Sequence, residues 1–242
     1  MKKVNATILS LCLCCAPTAY ALGPLDIDVT LAGWDADLSG DVRSGDDVID
    51  VEDELGFESE VTGFVKARID PPFIGILHFA YTPLSYTADG TIDGSKIYDG
   101  INFTADVDTE LDLTSIDIGW TFSVIDAVVA EWELGVAVRM LDGRVEISDG
   151  TNTASEDLDF PIPMVKTVLR LDFPIVAAEL DAAGLTFDGN RVVDVLAQLK
   201  VTPFPFLYIA AGYRQIEVVY EDDDDKVELD ISGPFLGVGV DF

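Results

Sequence analysis

Cysteine and histidine are scarce in this 242-residue chain. The three cysteines, Cys12, Cys14 and Cys15, all lie within the first 21 residues, and His78 is the only histidine. The rest of the chain therefore has neither a disulfide framework nor a cysteine and histidine set for zinc. A histidine-dependent hydrolase is also disfavoured, because the alternating pattern around His78 places it in mid-strand, facing inward, without a paired catalytic group. We expect no enzymatic activity.

Basic residues are also few. The chain has 14 Lys and Arg against 45 Asp and Glu, which gives a formal net charge of −31 at pH 7. This excess of negative charge excludes nucleic acid as an expected partner. A hydrophobic fraction of 49% is too high for a disordered acidic chain. The composition predicts a folded protein, and the length fits one domain.

The first 21 residues have the pattern of an export signal. Lys2 and Lys3 precede an uncharged apolar stretch over residues 4–17, and residues 19–21 (Ala-Tyr-Ala) match the small-x-small cleavage pattern. The residues before the three cysteines do not form a lipoprotein box. We predict a signal peptide at residues 1–21 and a single domain at residues 22–242 that carries no lipid.

The remaining sequence lacks an apolar run of the roughly 18 residues that a transmembrane helix requires. Instead, apolar and polar residues alternate, as in Trp132, Leu134 and Val136 against Glu131 and Glu133. Ten such segments are predicted, near residues 25–38, 58–70, 74–88, 105–122, 129–147, 157–173, 176–187, 190–202, 206–220 and 226–242. The predicted fold class is all-β, a transmembrane up-and-down antiparallel β-barrel of about 10 strands; 8 or 12 strands also fit the pattern.

The connections between these segments alternate between short, proline-rich turns and mostly long, acidic loops, as periplasmic turns and outer loops do. The polar parity carries charges of both signs, which suits a lumen, and aromatic residues such as Trp120, Trp132 and Tyr208 lie near strand ends, which suits an interfacial girdle. The apolar parity is therefore predicted to face lipid. The charged or titratable residues predicted to line the lumen are Lys66, Arg68, His78, Glu131, Glu133, Arg139, Lys166, Arg170, Asp172, Glu179, Asp181 and Lys200.

Two local departures from the pattern lead to further expectations. Prolines within strands, at 83, 161, 163 and 234, each remove a ladder donor and are expected above the membrane or at bulges. The apolar parity also changes within residues 207–220, and a bulge near Arg214 and Gln215 would account for the change.

The C-terminal residues 233–242 alternate and end at Phe242. They resemble the signal that the barrel-assembly machinery recognises, although Val240 stands where a second aromatic residue is common. Four short motifs resemble a family of small, functionally uncharacterised outer-membrane β-barrels of Gram-negative bacteria: Gly33-Trp34-Asp35, Gly45-Asp46-Asp47, Ala211-Gly212-Tyr213-Arg214 and Gly233-Pro234. The resemblance spans nearly all of residues 22–242. It implies the cell outer membrane as location, and it implies no catalytic residue.

Acidic residues are concentrated in four regions. Residues 35–60, 86–112, 142–159 and 217–230 carry 32 of the 45 acidic residues but only four basic ones. We expect a negative outer rim that shares divalent cations, calcium or magnesium, with neighbouring lipopolysaccharide and lipid. Solvated loops that bind no cation explain the same charge run.

One segment has the spacing of an EF-hand calcium loop. Its candidate ligands are Asp35, Asp37, Ser39, Asp41 and Asp46, with Gly at the sixth position. It departs from the motif in having Asp rather than Glu at the twelfth position and Arg at the ninth. A strand end followed by a turn is the competing interpretation.

Two functions fit these features. A barrel of ten strands encloses little more space than one of eight, whose lumen is filled by side chains. If the lumen charges line opposite walls, the protein is a narrow channel for small solutes or cations. If they pair across the lumen, it is a non-conducting structural or surface-binding barrel that presents acidic, cation-binding outer loops.

Overall fold

A computed structural model describes residues 25–44, 47–72, 74–98, 101–150, 153–187, 189–222 and 225–242. The predicted signal peptide lies outside these ranges. The strands are β1 Asp26–Ser44, β2 Asp47–Asp50, β3 Glu60–Asp70, β4 Ile76–Tyr98, β5 Ile101–Ala127, β6 Ala130–Ser148, β7 Thr153–Asp172, β8 Val176–Phe187, β9 Asn190–Phe204, β10 Leu207–Asp222 and β11 Asp225–Asp241. Within the described ranges, no helix has both the length and the apolar character needed to cross a membrane.

All strands except β2 form one closed antiparallel barrel. Neighbours in sequence pair with each other, β1 pairs with β3, and β11 returns to β1 over the register from Asp28↔Asp241 to Ser44↔Asp225. The short β2 pairs with the end of β1, from Asp41 to Ser44. The predicted fold class and the count of ten barrel strands are confirmed.

The two ends of the barrel differ. The end at which β1 starts and β11 finishes is called the turn end; the opposite end, called the outer end, has the longest connection of the barrel strands, the segment between β1 and β3. Much of the sequence predicted as long acidic outer loops is strand, since β4 and β5 extend to Tyr98 and Ile101. Alternation persists there because Val107 and Leu111 face inward while Asp108 and Asp112 face water.

The apolar parity faces outward, as predicted. On β6, the side chains of Trp132, Leu134, Val136, Val138 and Met140 are exposed, and the next outward residue is an aspartate. Other outward members are Leu31, Phe79, Ile118, Val165, Leu180, Leu199, Ile209 and Val238. We call this surface the apolar band. Five alternate positions span about 26 Å along the strand, which is about 20 Å of height at a tilt of roughly 40°, and this covers most of the roughly 25 Å apolar band of outer-membrane barrels.

Aromatic side chains ring the turn end of the band. Trp120 and Phe122 lie 4.9 Å apart between ring centroids and are half exposed. The terminal Phe242 stacks on Phe206, with centroids 5.6 Å apart. The assignment of Tyr208 to this girdle is wrong, because its position on β10 faces inward and its side chain is buried.

The change of parity in β10 does not mark a bulge, so that prediction is wrong. The strand pairs without a shift with β11 from Leu207 to Asp222, and with β9 from Ile209 to Val219. Ile216 and its neighbour two residues on face inward like Arg214. The pattern changes because the lumen itself becomes apolar towards the outer end.

Two seams of the barrel part before their strands end. Pairing of β3 with β4 runs only as far as Val65↔Tyr81, and pairing of β7 with β8 only as far as Val165↔Gly184. In each case the diverging strand continues with proline at its next positions of the same parity, Pro83 in β4 and Pro163 in β7. Beyond the last pair no ladder acceptor faces these positions, so the missing N–H is tolerated.

The prolines therefore occupy seam edges rather than bulges. Pro161 and Pro163 pair with Met140 and Val138 of β6, which belong to the apolar band. The expectation that they lie above the membrane-facing surface is therefore wrong. Pro234 interrupts the β1–β11 ladder without a change of register.

Candidate functional site in the barrel lumen

The predicted lumen residues all face inward. Ion pairs or hydrogen bonds join eleven of them: Lys66, Arg68, His78, Glu131, Glu133, Arg139, Lys166, Arg170, Glu179, Asp181 and Lys200. The twelfth, Asp172, lies on the inward face of β7 near the turn end. Sequence parity was sufficient to place them, because side chains two residues apart on a strand share a face.

Asp194 of β9 connects two arginines. Its carboxylate accepts hydrogen bonds from Arg214 at 3.1 and 2.7 Å and from Arg139, whose guanidinium also donates two 2.7 Å bonds to Asp117. The planar guanidinium suits such bidentate pairing. Arg214 also donates to the Thr82 hydroxyl at 2.9 Å. The four charged groups come from β5, β6, β9 and β10, so they span the lumen.

Glu179 of β8 is the centre of a second group. Lys66 and Lys200 contact its carboxylate at 3.2 and 2.9 Å. Lys66 also reaches Asp181 at 2.8 Å, and Lys200 reaches Asp28 at 2.5 Å. Each ammonium is thus shared between two carboxylates, both on β8 for Lys66 and on β1 and β8 for Lys200. This sharing offsets the cost of removing the charges from water.

Glu133 of β6 is fully buried and has three partners. Arg68 donates to its Oε1 at 3.0 Å, while Thr121 and His78 contact its Oε2 at 2.6 and 2.9 Å. The same Nε2 of His78 lies 2.8 Å from the Thr121 hydroxyl. In a catalytic triad, the histidine contacts the nucleophile through one ring nitrogen and the carboxylate through the other. Because Nε2 of His78 contacts both Thr121 and Glu133, this arrangement is a hydrogen-bond cluster rather than a triad.

Asp28, Asp117, Asp194 and Arg214 belong to the network but were missed as site residues. Arg214 was missed because a bulge was predicted near this residue, and a bulge leaves the direction of its side chain undefined. Asp28 and Thr30 lie on the same face of β1. Asp28 was missed because apolar and polar residues alternate only weakly at the start of this strand. Tyr208, taken for a girdle residue, donates its hydroxyl hydrogen to Asp28.

The ion-paired charges within the lumen nearly balance. Seven basic side chains, Lys66, Arg68, Arg139, Lys166, Arg170, Lys200 and Arg214, pair with seven inward carboxylates, Asp28, Asp117, Glu131, Glu133, Glu179, Asp181 and Asp194. At the turn end, Arg68 also contacts the more exposed carboxylates of Asp26 and Asp70, at 3.9 and 3.5 Å. The chain has only 14 Lys and Arg against 45 Asp and Glu. Most of its negative excess therefore lies outside the network.

Little space remains among these side chains. The cavity among the side chains of the network measures about 60 Å³. This volume holds about five water molecules, since each needs at least 10 to 15 Å³ measured in this way.

An apolar layer fills the lumen on the outer side of the network. Trp34 is fully buried, and the Arg214 guanidinium lies 5.1 Å from its ring centroid, where the polar and apolar layers meet. Phe64 packs edge-on between Trp34 and Phe235, at centroid distances of 6.4 and 5.2 Å. Further buried members are Leu38, Leu84, Tyr86, Val107, Leu111, Ile147, Ile216 and Ile231.

The segment between β1 and β3 completes this layer. Four of its side chains, Ile49, Val51, Leu55 and Phe57, are buried in the barrel mouth, and the Phe57 ring meets Tyr86 edge-on at 6.1 Å. We call residues 47–57 the plug segment. This segment was predicted from sequence to be part of an acidic outer loop; its four apolar residues were the signal that it enters the barrel.

A capped turn shapes the plug segment. Asp50 accepts hydrogen bonds at its Oδ1 from the backbone N–H groups of Glu52 and Asp53, at 2.9 and 2.7 Å. The carboxylate of Glu54 in turn accepts a hydrogen bond from the backbone N–H of Asp50 at 2.9 Å. This reciprocal arrangement resembles a capping box in which the returning carboxylate is one residue later, and it satisfies donors that the turn leaves free. The acidic residues thus fix the turn, while the apolar residues point into the barrel.

The calcium-loop residues are arranged differently from the predicted loop. Asp35, Asp37, Ser39 and Asp41 lie on one face of the extended strand β1, and Asp46 lies outside the described residues. Alternate residues of a strand are about 6.6 Å apart, so their oxygens do not converge on one cation. Among the described residues, no cluster of three or more His, Cys, Asp or Glu has the geometry to hold a metal ion.

Comparison with known proteins bears on the fold. No protein-family profile matches the sequence, and no curated protein does. The solved structure of the outer membrane protease OmpT from Escherichia coli aligns with a TM-score of 0.53 and 8% identity, over 90% of this chain and 97% of that chain. The translocator domain of the autotransporter NalP from Neisseria meningitidis aligns with a TM-score of 0.50 and 12% identity, over 89% and 88% of the two chains. Identity this low carries the fold alone. The resemblance to outer-membrane barrels is thus confirmed at the level of fold, and the chain is an antiparallel β-barrel of the outer-membrane type.

Proposed function

We propose that the protein is an integral outer-membrane barrel that conducts neither ions nor solutes. The exposed carboxylates on the outer parts of its strands, such as Asp108 and Asp112, then face the cell exterior. The observation that carries this proposal is the apolar layer, which fills the lumen from Trp34 to the plug segment. An ion that crossed this layer would lose its hydration without gaining polar ligands, and apolar constrictions close pores for that reason.

The polar layer supports the same function. A cation-selective path requires carboxylates that are free to contact the moving ion, whereas Asp194, Glu133 and Glu179 are each held by at least two partners. These pairs seal the lumen on the turn side of the apolar layer. The narrow channel predicted from sequence is therefore the less favoured of the two functions.

We predict that the purified protein produces no steady current steps in planar lipid bilayers. Folded protein is identified beforehand by a mobility shift between unheated and boiled samples on SDS gels. The control is a variant with Val51, Leu55 and Phe57 replaced by serine, which hydrates the plug segment and is expected to raise the frequency of brief openings. Steady current from the unaltered protein, with cation preference that grows at low salt, would support the channel instead.

A second role, as a contact for lipopolysaccharide, is favoured by a recess on the outward face of β5, β6 and β7. Asp112, Asp142, Asp157 and Asp159 line it, and Arg144 is the basic residue among them. Asp142 and Asp159 are directly opposite each other on paired strands, an arrangement that like charges destabilise. A divalent cation relieves this repulsion. We propose that phosphates of lipopolysaccharide complete the cation's ligand set.

Magnesium is therefore expected to stabilise the protein against urea more strongly in vesicles that contain lipopolysaccharide than in phospholipid alone. The D142N/D159N variant should lose most of this difference, on the order of 1 kcal/mol, because the like-charge pair is gone. E217Q, on the outer part of β10, serves as the matched control. An equal response to magnesium in the two kinds of vesicle would remove this second role.

A further inference from the structure

The seam between β7 and β8 opens inside the apolar band. The last pair is Val165↔Gly184, yet β7 continues to Thr153 and β8 continues to Phe187. Over this stretch β8 stays paired with β9, so the β8–β9 hairpin separates from β7 as a unit. The free part of β7 begins opposite Val138 and Met140 of β6, which are exposed members of the band.

The free edge of β7 lacks two backbone hydrogen-bond donors next to the last pair. The N–H of Asp172 donates to Val129, next to β6, and the N–H of Phe173 donates to Val176 of β8. Even-numbered residues of β7 therefore direct their backbone groups to β6, and odd-numbered residues direct theirs to the seam. Pro161 and Pro163 are odd-numbered, so the two N–H groups that would face hydrocarbon are missing.

The seam exposes apolar side chains of inward parity. Leu185 of β8 occupies an inward position like Asp181, yet 39% of its surface is exposed, and Phe187 at the end of the strand is 73% exposed. Met164, the first inward residue of β7 beyond the last pair, is still buried, and Ile162, the inward residue after it, is partly exposed. Inward residues on closed parts of the sheet, such as Ala137 on β6, are buried.

The other open seam is covered by the chain itself. Thr62 of β3 donates its hydroxyl hydrogen to the carbonyl of Pro83 of β4, which bridges the two strands. The plug segment packs behind them, where Phe57 contacts Tyr86. Nothing comparable is present at the β7–β8 seam among the described side chains.

We propose that the β7–β8 seam binds one acyl chain of a lipid in the outer leaflet. The seam is continuous with the apolar band, so hydrocarbon is the medium it meets in a membrane. Its exposed side chains of inward parity are aliphatic or aromatic, and its edge lacks N–H donors at Pro161 and Pro163. A peptide strand is a poor occupant, because pairing with the odd-numbered edge requires the N–H groups that Pro161 and Pro163 lack. This binding is independent of conductance, since the seam opens sideways and the lumen axis stays closed.

The test uses the folded protein in vesicles of a phosphatidylcholine whose acyl chain carries a photoactivatable diazirine. After irradiation, labelled residues are mapped by mass spectrometry. Outward Val136 is expected to be labelled by ordinary surrounding lipid, and inward Ala137 is expected to stay unlabelled. Inward Ile162 and Leu185 are expected to be labelled like Val136, because an acyl chain enters the seam. Labelling of Ile162 and Leu185 no greater than that of Ala137 would overturn the proposal.

A matched pair of variants separates seam binding from general lipid contact. L185Q places an amide in the seam and should abolish labelling of Ile162 while Val136 keeps its label. L180Q changes a similarly exposed leucine of the same strand that faces outward, and should leave labelling of Ile162 unchanged. If both variants, or neither, abolish labelling of Ile162, the seam does not hold a chain of its own.

Discussion

Replacing Asp194 with alanine is expected to lower the free energy of unfolding of the barrel by about 3 to 5 kcal/mol. The carboxylate is shared by Arg139 and Arg214, both of which are buried. Its removal leaves two guanidinium groups with reduced compensation in a closed lumen, and Arg214 then has Thr82 and two aromatic rings as its remaining partners. Urea unfolding in lipid vesicles, followed by tryptophan fluorescence, measures the change.

Two companion variants interpret that result. D194N keeps an acceptor for one arginine and should cost less than D194A, because part of the hydrogen bonding remains. D37A removes an exposed outward carboxylate of β1 and should stay within about 0.5 kcal/mol of the unaltered protein. If D194A were no more destabilising than D37A, the polar layer would not be the buried ion network described above.

Replacing Trp34 with alanine is the second change with a large expected effect. The side chain is fully buried, packs edge-on against Phe64, contacts the Arg214 guanidinium, and donates its Nε1 hydrogen to the carbonyl of Gly233 at 3.2 Å. Truncation leaves a cavity between the two layers of the lumen, and the expected loss of unfolding free energy is about 3 to 5 kcal/mol.

Trp120 provides the control for Trp34. It is a half-exposed member of the girdle that donates its Nε1 hydrogen to the carbonyl of Ile74 at 2.6 Å, so it matches Trp34 in having one indole hydrogen bond. Alanine there removes this bond and the contact with Phe122 without creating an internal cavity. The unfolding of both variants is followed by circular dichroism in vesicles, since each removes one of the three tryptophans. Equal losses for W34A and W120A would mean that the apolar layer is loosely packed and that the lumen is not closed by it.

The sequence predicts the barrel well because each strand has two faces in different media. Lipid selects apolar residues on one face, and on β6 this yields an uninterrupted outward series from Trp132 to Met140. Residues such as Glu133 and Arg139 then mark the lumen. Period-two alternation therefore gives fold class, strand number and most of the polar layer.

Prediction fails where the medium changes along one face. The lumen is ionic near the turn end and apolar near the outer end, so the inward face of β10 goes from Arg214 to Ile216. If each face of a strand is assumed to have one polarity throughout, this change is misinterpreted as a bulge. The same assumption concealed the plug segment, whose Leu55 and Phe57 enter the lumen from a chain region dominated by carboxylates.

The sequence indicates that some ladder hydrogen bonds are missing, but it does not show between which strands the barrel opens. Pro83 and Pro163 signal missing ladder donors, and that much was read correctly. Which neighbour each proline faces depends on the register of two adjacent strands, and register is set by partners remote in sequence. Alternation along a single strand carries no information about that choice.

The distance in sequence between the partners of the ion network governs how the barrel can assemble. Lys200 of β9 pairs with Asp28 of β1, which lies 172 residues earlier, and this contact forms only when the last strand meets the first. Contacts of such long range form late and slowly. An unclosed sheet would expose unpaired charges to hydrocarbon, which is strongly unfavourable. We therefore expect closure of the barrel to be coupled to its entry into the membrane, because an incompletely closed intermediate has a high free energy in the bilayer.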